Sequence, residues 1–229
     1  AVDSQDRIVV LSDRGYIYDR DGNLILTFGT PNTETGDFDF VESIAIDSQD
    51  RIVVVDGNRK WGLGVEIFDS AGNYLFNATE SEDFLLDDPV GVLIDSTDRI
   101  IIGNVSQDFG IFNSDGSFAQ TANYGGIADP QEFTLDPQDR IIVIDGDCIK
   151  IIDSNANLVD VIGDCGYLGT DSIVLSSPDF LAVDSKGRII VDSGNNQIHI
   201  PLLHQKNTNR LAVNGINKLN GFHRNFRRL

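Results

Sequence analysis

The octapeptide Asp-Ser-Gln-Asp-Arg-Ile-Val-Val at residues 3–10 returns at 47–54, and drifted copies follow at 95–102, 136–143 and 184–191. The leading aspartates are spaced by 44, 48, 41 and 48 residues. A period in the forties, filled by several short strands, is the signature of β-propeller blades. One such unit cannot bury its own apolar faces, so the repeats belong to one all-β domain of stacked four-stranded antiparallel blades. Five repeats are visible. The spacing predicts four complete blades over residues 1 to about 175 and a partial fifth.

Within one repeat the strands are legible. Ile44-Ala45-Ile46, Ile52-Val53-Val54-Val55, Val65-Glu66-Ile67-Phe68 and Tyr74-Leu75-Phe76 are β-branched and aromatic runs bounded by Asp, Asn and Gly. The second strand of every repeat is apolar at successive positions, which requires cover on both faces. The first turn opens with Asp3, Asp47, Asp95, Asp136 or Asp184, whose carboxylate can accept from the backbone two residues on. Its fourth position, Asp6, Asp50, Asp98, Asp139 or Gly187, suits the left-handed residue of a type I turn with a bulge. Arg7, Arg51, Arg99, Arg140 and Arg188 are placed to pair with the leading aspartates. The turn between strands three and four carries Gly22, Gly72 and Gly116. The fourth repeat has Asp153-Ser-Asn-Ala156-Asn there, which predicts the positive φ at Asn155 or Asn157.

The chain resembles the NHL repeat family. The resemblance rests on Pro89-Val-Gly-Val-Leu-Ile-Asp95, Pro178-Asp-Phe-Leu-Ala-Val-Asp184, Val191-Asp-Ser-Gly-Asn-Asn-Gln-Ile198 and Leu26-Thr-Phe-Gly29, and it covers about residues 1–200. It implies a six-bladed, TolB-like ring, of which this sequence shows an incomplete set. Some NHL-like proteins are lyases with zinc in a histidine-rich channel, and some bind RNA. Here His199, His204 and His223 all follow the clear repeats, which argues against the lyase chemistry.

Charge argues against RNA. The chain carries 36 acidic and 17 basic residues, for a formal charge of −19. Residues 1–192 hold all 36 acids with 11 basic residues, a net of −25, so no phosphate-binding surface is expected. Residues 201–229 have no acid and all six remaining basic residues, and read as a basic tail, a degenerate last blade or a non-native terminus. No apolar run approaches the ~20 residues of a membrane span. Starting inside a repeat at Ala1 and lacking methionine, the chain reads as a processed or excised piece.

Strand parity separates two rims. First–second and third–fourth turns share one rim, which carries the near-identical Asp turns. Second–third loops and interblade loops share the other, which carries the variable sequence and many acids. Function resides on variable loops held by a rigid scaffold. The candidate partner-binding residues there are Arg59, Lys60 and Trp61 in a Gly-rich loop, with Asp87 and Asp88 in an interblade loop. Trp61 reads either as an interface anchor or as a side chain folded back on its blade. The acidity suits a basic protein or peptide, or a hard cation, or simple solubility.

After the proline position, successive repeats place Glu42, Val90, Gln131 and Asp179, so Glu42, Gln131 and Asp179 form a partial Ca²⁺ ligand set or a polar channel lining. No other cofactor is implied, and no nucleophile elbow or phosphate loop is visible. Cys148 and Cys165 come to one rim about two residues out of opposition, either as a disulfide corrected by a bulge or as buried thiols. With the sequons at Asn77 and Asn104, they point to an extracytoplasmic or secreted protein. The leading expectation is a non-enzymatic scaffold binding a basic protein or peptide through its acidic rim. The alternative is a Ca²⁺-dependent enzyme resembling sugar-lactone hydrolases. The turn aspartates are expected to be structural, with Asp47→Ala costing about 1 kcal/mol.

Overall fold

The computed structural model describes residues 1–29, 38, 40–56, 64–78, 89–104, 108–123, 130–163, 175, 178, 180–193 and 197–199. These form strands and turns, with no helix among the described residues. Blade 1 contains β1 (Ile8–Leu11), β2 (Gly15–Tyr18) and β3 (Leu24–Phe28). Blade 2 contains β4 (Val41–Ile46), β5 (Ile52–Asp56), β6 (Gly64–Phe68) and β7 (Tyr74–Asn77). Blade 3 contains β8 (Pro89–Ile94), β9 (Ile100–Asn104), β10 (Asp108–Phe112) and β11 (Phe118–Asn123). Blade 4 contains β12 (Pro130–Leu135), β13 (Ile141–Asp145), β14 (Cys148–Ile152) and β15 (Leu158–Gly163). Blade 5 contains β16 (Leu181–Val183), β17 (Ile189–Ser193) and β18 (Gln197–His199). Each sheet is a meander whose strands neighbour one another in chain order.

The expectation of four complete blades needs correction. Among the described residues, blades 2, 3 and 4 have four strands, but blade 1 has three. Beside β1, Val2 pairs with Ile8 in a single antiparallel bridge and not in a strand. Residues 201–229 lie outside the described residues.

The chain divides into two compact units, residues 1–130 with 152–158, and residues 131–151 with 159–229. In the first, alternation along the second strand builds two separate cores. Ile52 and Val54 pack with Val9, Ile17 and Phe28 of blade 1. Val53 and Val55 point the other way and pack with Ile100, Ile102 and Phe112 of blade 3. The uninterrupted apolar run is thus a strand buried on both faces, because successive side chains face opposite ways. In the second unit, Ile142 and Ile144 of blade 4 pack with Ile189 and Val191 of blade 5 in the same manner.

The first turn of each blade follows its sequence. Asp6, Asp50, Asp98, Asp139 and Gly187 have φ of 60°, 60°, 61°, 56° and 74°. In the third–fourth turn of blade 4, the positive φ falls on Ala156, at 68°, and not on either flanking asparagine. The turn's hydrogen bonds dictate this. Asp153 accepts from the backbone N–H of both Asn155 and Asn157, and the Ala156 N–H donates to the Asp153 carbonyl at 2.9 Å. Only the residue between the asparagines can then be left-handed. A left-handed alanine is strained by about 1 kcal/mol, so Ala156→Gly is expected to stabilise the protein by about 0.5–1 kcal/mol. A urea midpoint that falls or stays put would refute this.

Candidate functional site

The two rims differ in what their polar groups are doing. On the Asp-turn rim every leading aspartate is engaged. Its Oδ1 accepts from the N–H groups two and four residues on, and its Oδ2 accepts from the arginine Nε at 2.5–2.7 Å in all five blades. Arg51 also donates from Nη1 to the Ser114 carbonyl at 2.8 Å. A first–second turn therefore touches the third–fourth turn of the following blade, as parity requires.

The fourth turn position carries a second role that the sequence did not disclose. Asp50 accepts from the Ser4 N–H at 2.8 Å and from its hydroxyl at 2.7 Å. Asp98 accepts in the same way from Ser48, at 2.9 and 2.7 Å. Each left-handed aspartate thus clamps the preceding blade, which explains why the position is not simply glycine. Between blades 4 and 5 both halves of this clamp change together. Pro137 has no N–H, and Gly187 has no carboxylate. Such paired replacement of donor and acceptor is the signal in the sequence that would have revealed the clamp.

The clamp confers a pH dependence. The Ser4 N–H, then its hydroxyl, holds the Asp50 carboxyl below its usual range. At Asp98 the Ser48 hydroxyl is the larger cause, followed by its N–H. With folded pKa values depressed, this stabilisation is complete above the ordinary carboxylate pKa of about 3.9 and is lost as pH falls through the folded values. Asp50→Asn keeps a residue that tolerates left-handed backbone but lacks the charge. It is expected to cost about 1 kcal/mol at pH 7 and progressively less as the pH falls through the depressed folded pKa. A cost independent of pH in urea titrations would contradict the assignment.

At the other rim, the second strands end in buried polar residues, Asp56, Asn104 and Asp145. Asp56 accepts from the Phe40 N–H at 3.0 Å and so ties the incoming segment to its blade. Glu66 is also buried, on the same face as Asp56, because Asp56 is opposite Gly64 and Glu66 is opposite Val54. The segment 57–63 that joins these strands carries Arg59, Lys60 and Trp61, which lie outside the described residues, as do Asp87 and Asp88. In blade 4 the connection shrinks to Gly146-Asp147, and Asp145 forms a buried ion pair with Lys150.

Of the calcium candidates, Glu42 is an exposed residue of β4. Gln131 lies in β12, with its side chain outside the described residues, and Asp179 lies outside them altogether. Among the described residues no group of three or more His, Cys, Asp or Glu is arranged to hold an ion. Cys148 is fully buried and disulfide-bonded. Its sulfur is 3.1 Å from the Asp145 carbonyl oxygen, a packing contact, since an oxidised sulfur has no proton to donate. Cys165, the other cysteine of the chain, lies outside the described residues. Of the two sequons, Asn77 is exposed, whereas Asn104 is buried and cannot receive a glycan in the folded state.

These meandering sheets define the chain as a β-propeller protein. Solved structures share the fold. A virginiamycin B lyase from Staphylococcus aureus superposes with a TM-score of 0.63 at 13% identity, over 88% of this chain and 64% of the lyase. The WD40 propeller domain of Doa1 gives 0.57 at 15% identity, over 85% of this chain and 59% of that one. A protein of unknown function from Bacteroides caccae gives 0.59 at 11% identity, over 90% and 71%. The chain thus spans less than two thirds of the lyase and of the Doa1 domain, and at these identities the likeness shows the fold alone. No protein-family model and no curated protein matches the chain.

Proposed function

We propose that this chain is a non-enzymatic propeller scaffold of the NHL type that binds a basic protein or peptide through its variable, acidic rim. The supporting observation is the division of labour between the rims. All five leading aspartates of the Asp-turn rim are consumed by turns and arginines, and Asp50 and Asp98 by interblade clamps. The second rim combines connections of unequal length with the chain's variable acids. Its recognition elements are Arg59, Lys60 and Trp61 with Asp87 and Asp88. The oxidised Cys148 and the exposed Asn77 sequon favour an extracytoplasmic setting.

A Lys/Arg-rich peptide library serves as the probe. Association is expected to weaken with ionic strength, because exposed charges are screened beyond ~8 Å at physiological salt. Reversing Asp87 and Asp88 to lysine is expected to slow association, and Trp61→Ala to hasten dissociation. Asp21→Lys, on the opposite rim, is expected to change neither rate. Equal effects from both rims would mean that net charge alone drives binding. A melting temperature raised by millimolar Ca²⁺ would favour the hydrolase-like alternative instead.

A further inference from the structure

Blade 2 is packed on both sides, by blade 1 against Ile52 and Val54 and by blade 3 against Val53 and Val55. What it exposes is therefore exposed with both neighbours in place. Its fourth strand, β7, is the terminal strand of the sheet, so no described strand pairs with its outer edge. Asn77 ends β7, is exposed, and opens the sequon Asn77-Ala78-Thr79. Thr79 lies outside the described residues and enters only as sequence.

The register explains how the Asn77 amide is set. Phe68 is opposite Tyr74, Ile67 opposite Phe76 and Glu66 opposite Asn77, so Leu75 is an extra residue. This bulge puts Tyr74 and Asn77 on one face, although they are three residues apart. The Tyr74 hydroxyl donates to Asn77 Oδ1 at 3.1 Å, and its ring packs on Phe68 at a centroid separation of 5.9 Å. Burial, and then the charge of Glu66, raise the Tyr74 phenol above its ordinary value, so it keeps the proton it donates. The amide oxygen is thus engaged. Nδ2, the nitrogen that carries an N-linked sugar, has no hydrogen-bond partner among the described residues. The next residue, Ala78, anchors the strand end, since its N–H donates to the Val65 carbonyl at 2.9 Å and its side chain is buried. The chain's other sequon begins at Asn104, which ends the second strand of blade 3 and is 2% exposed. Two sequons of equal standing in the sequence are thus separated by strand position, one at the outer edge of a blade and one inside it.

We propose that Asn77 is a site of N-glycosylation, taking an oligosaccharide through its first N-acetylglucosamine. The inference rests on the extracytoplasmic setting of the proposed function. In the transfer, Nδ2 loses a proton and bonds to the anomeric carbon of the sugar. The bond from that carbon to a lipid-linked pyrophosphate breaks, and the lipid pyrophosphate leaves with the electron pair. The glycan then shields the open edge of β7, where Tyr74 and Leu75 are 40% and 43% exposed.

The test is the intact mass of the full 229-residue chain after passage through the secretory pathway of a eukaryotic cell. The expected product carries one glycan, which peptide:N-glycosidase removes. Asn77→Gln and Thr79→Ala are each expected to abolish it, whereas Thr79→Ser retains it. Ser106→Ala destroys the second sequon without touching Asn104 and is expected to change nothing. A bare chain overturns the proposal, as does a glycan that survives Asn77→Gln or disappears with Ser106→Ala. The host supplies the setting and peptide binding is read separately on unglycosylated chain, so failure of the site and failure of the binding reading remain distinguishable.

Discussion

Asp47→Ala is expected to cost about 3–5 kcal/mol, well above the roughly 1 kcal/mol of a lost capping acceptor. The difference lies in burial. The Asp47 side chain is 1% exposed and serves three donors at once, namely the N–H groups of Gln49 and Arg51 and the Arg51 guanidinium. Arg51 is itself held over the turn, since it donates to the Ser114 carbonyl and lies 5.9 Å from the Phe76 ring centroid. Alanine would leave a half-sequestered cation without its carboxylate and two turn N–H groups without an acceptor. Asp184 provides the internal comparison. It makes the same bonds, but its side chain is 22% exposed and that of Arg188 is 47% exposed, so water replaces what is lost. Asp184→Ala is expected to cost far less than Asp47→Ala. Equal losses at the two sites, measured by urea unfolding, would show that burial by the following blade does not set the value of the pair.

Gly72→Ala is expected to be about as damaging, at roughly 3–4 kcal/mol, for two separable reasons. Its φ of 79° disfavours any side chain, and the added methyl would sit 2.3 Å from the Phe28 Cβ. Phe28 cannot retreat easily, because its ring packs on Phe38 and Phe68 at centroid separations of 6.0 and 5.2 Å. Gly116→Ala should cost somewhat less. The encroached atoms there are the far ring edge of Phe76, at 2.9 Å, and the Asn77 carbonyl oxygen, at 3.1 Å. Gly22→Ala isolates the backbone contribution, with φ of 84° and open space around the new methyl, and is expected to cost only about 1 kcal/mol. The order Gly72, Gly116, Gly22 is the result to check by thermal or denaturant unfolding. A Gly22 variant as unstable as the Gly72 variant would remove packing from the explanation.

The repeat period, the strand pattern and the turn chemistry were legible because each depends on neighbours close in sequence. The Asp-x-x-Asp-Arg turn needs only five consecutive residues to close its hydrogen bonds, so Asp47 and Arg51 could be paired, and Asp50 assigned a positive φ, without any tertiary information. Strand parity likewise follows from counting, and the Arg51–Ser114 bond is consistent with it. The proposed binding rim was legible only as variable sequence. Glu42, Gln131, Asp179 and the Arg59–Trp61 loop lie in sequence that carries no repeated local motif to fix a geometry, and a ligand site is defined by groups that converge from separate blades.

What the tertiary structure alone decided concerns blade against blade. The sequence by itself determined that Asp50 would be left-handed. Only stacking brought Ser4, 46 residues away, onto its carboxylate. The sequence likewise determined that Ile8, Ile52, Ile100, Ile141 and Ile189 are equivalent, but the fold decided that the first is half-exposed and the others are sealed. The physical reason is that hydrogen bonds within a turn are set by local backbone geometry, whereas burial belongs to a position in space. Identical octapeptides at residues 3–10 and 47–54 therefore form the same turn yet differ in burial, because blades 1 and 3 both pack on the second, whereas blade 2 is the neighbour described against the first.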